Sequence, residues 1–134
     1  MEMKITFPGG AKVNAEFNNH IIATDQPVGA GGDGSAPTPF EYFLASLGTC
    51  AGIYVLSFCR QRGIETEGLA LSQRMEFVTH DDGRRKLSKI VMDIDLPPGF
   101  PEKYRNAIIK TAELCTVKKT IMEPPEFAIS ARMP

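Results

Sequence analysis

Apolar and polar residues alternate in two early runs, MKITFP and AKVNAEF, with Pro8-Gly9-Gly10 between them. A period of two is that of a half-buried strand, so the pair predicts a β-hairpin, and HIIATD predicts a third strand. Residues 29–39, GAGGDGSAPTP, then form a flexible glycine-rich connection ending in two prolines. Alternation disappears between Tyr42 and Cys59, where eighteen residues carry no charge. It returns in LALSQRMEFVTH and RKLSKIVMDIDLP, two strands joined at Asp81-Asp82-Gly83, a hairpin signal. Tyr104, Ile108, Ala112 and Cys115 follow at helical spacing, with Pro101 suited to a first turn; helical patterning resumes through TVKKTIME and stops at Pro124-Pro125. EFAISARM predicts a closing strand. The order βββ-α-ββ-α(α)-β predicts an α+β fold built from antiparallel sheets.

The long uncharged segment sets the main question. Thr38, Pro39 and Glu41 match a capping box: the Thr hydroxyl takes an orphan amide, Pro fits the first turn and Glu reaches back. Eighteen uncharged residues meet the minimal length of a membrane span, and Gly48-x-x-x-Gly52 has the spacing of a membrane packing motif. Ser46, Thr49 and Ser57, with amphipathic strands close on both sides, point instead to a helix buried on every side at the centre of a globular core. Its glycines then admit another backbone.

Composition narrows the chemistry. With 134 residues and 43% apolar content, the chain is the size of one domain spanning 1–134, and compact folds of this length often complete their core by dimerising. A net charge of −1 with no block of like sign gives nucleic acid or an anionic membrane nothing to hold. MEMKITFPGG is too poor in apolar residues for a signal peptide, which predicts a cytoplasmic protein. Gly29, Gly31 and Gly34 fit G-x-G-x-x-G, but Pro37 and Pro39 precede the helix and no acidic residue follows at the required distance, so no dinucleotide is expected. Metal is equally unsupported: His20 and His80 lie far from each other and from any cysteine, and there is no CxxC. No cofactor is implied.

Three cysteines are too few for a disulfide-stapled scaffold, so reduced thiols are expected. Cys50 and Cys59, nine residues apart on one helix, point to opposite faces about 13.5 Å apart along the axis, beyond the roughly 7 Å reach of a disulfide. Any intramolecular redox pair therefore includes Cys115. Near a helix N-terminus and followed by Lys118 and Lys119, Cys115 is expected to have a favoured thiolate. Residue chemistry alone leaves two readings open, a redox pair or three buried small hydrophobes.

APTPFEYFLASLGTCAG, with a cysteine deep in a long helix, and AELCTVKKTI some sixty-five residues later resemble the OsmC/Ohr family of thiol-dependent peroxidases. The resemblance covers nearly the whole chain. It implies an OsmC-like fold with two long helices, the central one buried, in an intertwined homodimer whose sheets draw on both chains. It also implies reduction of an organic hydroperoxide by Cys50 as peroxidatic thiol, with Cys115 as resolving partner and a small dithiol or dithiol-bearing protein as reductant. Cys59 is left to packing, and Phe40, Phe43, Leu47 and Tyr54 are candidates for an apolar pocket wall. The family's best-characterised peroxidases place a glutamate ten positions before the first cysteine and an arginine in the N-terminal strands. Here position 40 is Phe, Glu41 stands one place later where its capping role accounts for it, and the first 59 residues hold no arginine, only Lys4 and Lys12. This places the chain in a divergent branch. The alternative to turnover is a redox-sensing or apolar-ligand-binding dimer of the same fold.

Overall fold

The computed structural model describes all residues, 1–134, as two compact units, Met1–Ala45 and Ser46–Pro134. The first holds a three-stranded antiparallel sheet in the order β1 (Lys4–Gly9), β2 (Lys12–Phe17), β3 (His20–Thr24). Asn18 and Asn19 connect β2 to β3 with φ of 45° and 59°, the left-handed pair that a two-residue hairpin needs and that Asn tolerates.

The glycine-rich connection is tethered, contrary to the flexible loop expected of its composition. Asp25 is fully buried at 0% exposure, and its carboxylate accepts hydrogen bonds from the Ser35 hydroxyl (2.6 Å) and from the amides of Gln26 (2.8 Å), Ser35 (3.0 Å) and Asp33 (3.3 Å). The Ser35 hydroxyl, then its amide, then those of Gln26 and Asp33 outweigh burial and hold Asp25 well below the usual carboxylate range, at about 2. Gly32 turns within this ring, where a Cβ would run into the Gln26 carbonyl.

Helix α1 (Pro39–Gln61) crosses from one unit into the other. Its start is the expected capping box: Glu41 N–H donates to Thr38 Oγ1 (3.2 Å), and Thr38 N–H donates to Glu41 Oε2 (2.8 Å). Its end is a Schellman turn, with Gly63 at φ 64° and Ile64 N–H donating to the Cys59 carbonyl (3.0 Å). By length and composition α1 could cross a membrane, yet within one chain only 33% of its most apolar window is buried. The buried residues, Leu44, Leu47, Ala51, Val55 and Phe58, recur every three or four positions and form one face. Within one chain the helix is thus covered on one side, and Ile53 on the other is 52% exposed. The two glycines also differ. A Cβ on Gly48 would meet Gln73 Oε1 at 2.8 Å, whereas Gly52 faces open space, so at Gly48 a side chain and not a backbone makes the close approach.

In the second unit β4 (Ala70–Thr79) and β5 (Arg85–Asp95) pair antiparallel, turning at Gly83 (φ 83°). Val55, Phe58 and Cys59 of α1 pack with Ile108 of α2 (Arg105–Ala112), and Leu71, Ile94 and Phe100 surround them. The edge of the Phe58 ring meets Tyr104 at 5.8 Å, and the Arg62 guanidinium caps Phe58 at 3.7 Å. In place of a second long helix there are two short ones, because the chain breaks at residues 113–115 before α3 (Thr116–Met122). The closing strand is absent: residues 124–134 form no ladder, and Phe127 is 81% and Ile129 95% exposed.

Candidate functional site

The break between α2 and α3 creates the site. Cys115 stands in the break as the N-cap of α3, where its sulfur accepts the Lys118 amide at 3.5 Å and its S–H points to the Leu47 carbonyl on α1 at 3.9 Å. The start of α3 is thereby laid against the middle of α1, where Cys50 lies. The Val117 and Thr116 amides and the Cys115 side chain lie beside the Cys50 sulfur, where each favours its thiolate. Cys50 and Cys115, far apart in sequence, are thus neighbours that influence each other's ionisation, both as free thiols. Tyr54, one turn beyond Cys50, shares a hydrogen bond with Thr116 Oγ1 at 3.1 Å and ties the first residue of α3 to α1.

The two thiols have opposite acidities. Burial raises the Cys50 pKa, but the Val117 amide, the Cys115 thiol and the Thr116 amide together outweigh it and bring the value below that of an ordinary thiol. Cys115 moves up: burial dominates, and a neighbouring Cys50 charge adds to it, against the Lys118 and Val117 amides. This reverses the expectation that Cys115 would profit from the helix start. As the capping residue it has the Lys118 and, more weakly, the Val117 amide beside it, too little to offset its burial, while the Val117 and Thr116 amides serve the sulfur across from it. Backbone donors, not a guanidinium, stabilise the Cys50 thiolate.

The other sequence candidates separate cleanly. Cys59 is fully buried in the α1–α2 core, where burial raises its pKa against a smaller opposing effect of Arg62. The Glu41 carboxylate is engaged in the capping box. Lys12 pairs with Asp33 at 3.6 Å. Leu47 lines a groove of about 710 Å³ beside Cys115, together with Ile108, Ile109 and Met122. Tyr54 lines a second groove of about 440 Å³ with Arg62. Phe40 and Phe43 stack on each other at 5.7 Å, are exposed and line neither of these two grooves. No cluster of three His, Cys, Asp or Glu side chains suits a metal ion.

Sequence reasoning missed Thr116 and Val117, which act through backbone amides and leave no side-chain signature. It also missed the hydroxyl role of Tyr54, for which the four-residue spacing from Cys50 was a usable signal.

A family model described as OsmC-like protein matches residues 32–130. A search of curated proteins finds no match. Among solved structures, the chain is similar to a Psychrobacter arcticus protein named for an osmotic stress induced and detoxification response (24% identity, 88% of this chain and 85% of that one, TM-score 0.72). It is also similar to organic hydroperoxide resistance proteins from Legionella pneumophila (18%, 90% and 89%, 0.58) and Elizabethkingia anophelis (17%, 92% and 90%, 0.59). At these identities the likeness is one of fold.

Proposed function

The chain belongs to the OsmC-like family, and from that premise we propose that it is a thiol-dependent peroxidase reducing organic hydroperoxides through Cys50 and Cys115. The observation that carries this reading is that Cys115 and the Val117 and Thr116 amides all lie beside Cys50 and favour its thiolate. In the proposed reaction the Cys50 thiolate attacks the distal oxygen of the hydroperoxide; the O–O bond breaks, the alkoxide takes a proton and leaves as alcohol, and Cys50 becomes a sulfenic acid. Cys115 then displaces hydroxide from that sulfur, water departs, and a Cys50–Cys115 disulfide remains. A dithiol returns both sulfurs to thiols by exchange.

The proposed assembly is an intertwined homodimer. Supporting it are the open face of α1, with Ile53 exposed, and the alternating tail, whose Phe127 and Ile129 point into solvent. Such a tail is suited to add as a strand to the sheet of a second copy.

The test is consumption of cumene hydroperoxide with dithiothreitol as reductant. Cys50→Ser abolishes turnover, and Cys115→Ser allows one oxidation but no disulfide. Unchanged turnover in Cys50→Ser rejects the reading, and hydroperoxide oxidation without any turnover supports a sensing role for the same pair.

A further inference from the structure

The two sulfurs face different surroundings. Cys115 is only 2% exposed, yet it forms part of the wall of the 710 Å³ groove, between the apolar side chains of Leu47 and Ile108. Cys50 is half-buried and lines neither groove. Resting on the peroxidase reading, we propose that the reductant enters this groove and attacks the disulfide at the Cys115 sulfur, with Cys50 as the leaving group, while the hydroperoxide reaches Cys50 from outside it.

The step balances as ordinary exchange. One thiolate of the dithiol bonds to Cys115 Sγ, the S–S bond breaks, and its electron pair leaves on Cys50. The second thiol of the reductant then attacks the reductant's own sulfur in the mixed disulfide and expels Cys115. The dithiol ends as a disulfide, and its two protons pass to the two cysteines. The leaving group follows from the site: a sulfur whose anion is better stabilised departs faster. Cys50 leaves toward the Val117 and Thr116 amides, whereas attack at Cys50 would expel Cys115 as a buried anion.

The experiment uses the wild-type protein oxidised with diamide, which needs no peroxidase activity. The oxidised protein is exposed briefly to excess 2-mercaptoethanol, quenched with N-ethylmaleimide and mapped by peptide mass spectrometry. The expected result is mercaptoethanol on Cys115 and maleimide on Cys50, favoured over the reverse on the order of tenfold. A Cys50 adduct, or an even distribution, overturns the proposal and leaves the peroxidase reading standing. Failure of diamide to link the two cysteines overturns both. Ile109→Trp, placed on the groove wall, slows mixed-disulfide formation severalfold without changing alkylation of Cys50 in the reduced protein; an unchanged rate overturns the groove as the route.

Discussion

Replacing Tyr54 by Phe removes one oxygen atom and the 3.1 Å bond that holds Thr116 against α1. The ring stays, so packing is preserved, and the loss falls on the register between the start of α3 and Cys50. A hydrogen bond of this kind contributes about 0.5–1.5 kcal/mol net. About 1.4 kcal/mol corresponds to one pKa unit, so full transmission to the Cys50 thiolate sets a ceiling near one unit. The expected outcome is a Cys50 pKa that rises toward the ordinary thiol value. Below that pKa the thiolate fraction, and with it the alkylation rate, falls by about two- to tenfold. The assay is the pH dependence of iodoacetamide alkylation, resolved by peptide so that Cys115 and Cys59 do not contribute. Thr116→Val should give the same displacement, and the double variant should add little, because both remove one bond. A Cys50 profile that does not move, or moves to lower pH, refutes the claim that the placement of α3 sets the acidity of this thiol.

Three further outcomes follow from other parts of the molecule. Because the folded-state pKa of Asp25 is depressed to about 2, its contribution to stability is complete above its unfolded value near 4 and is lost as pH falls between the two; chemical denaturation should show Asp25→Asn less stable than wild type at pH 7 and nearly equal to it below pH 2. Cys59→Ser puts a hydroxyl into the α1–α2 core and should cost about 1–3 kcal/mol in urea unfolding while leaving hydroperoxide turnover intact; a loss of turnover in the folded variant would mean that Cys59 takes part in the chemistry. Deleting residues 126–134, or placing Asp at Ile53, should convert the proposed dimer to monomer in sedimentation with the core unchanged, and an unaltered mass in both variants would refute the proposed interface.

The parts of the fold legible in the sequence are those specified by short-range rules. Period-two alternation marks four of the five strands that form, the short run HIIATD marks the third in order, and Thr38, Pro39 and Glu41 announce the start of α1 through side chains that bond within one turn. The failures share one cause, dependence on partners distant in the chain. A strand needs a partner as well as a pattern, and residues 126–133 have the pattern but pair with no strand of this chain. Asp25 reads only as the last residue of the strand HIIATD, because the Asp33 and Ser35 donors that help enclose it lie eight and ten residues away. At the site, the pairing of Cys50 with Cys115 rested on resemblance, and the assignment of the favoured thiolate went to the wrong sulfur. Local reasoning assigns a helix start to the residue beside it, whereas amides point along the axis to whatever lies across the gap.

The ring that Asp25 closes bears on how this protein tolerates inserted sequence. Long surface connectors usually absorb extra residues readily, and a tag designer would choose the glycine-rich stretch by eye. Between Gln26 and Ser35, however, any added length has to be accommodated while one carboxylate keeps its grip on amides at both ends of the segment. The tip at Asp81–Gly83, exposed and joined only to its own hairpin, is the permissive place for an epitope or fluorophore.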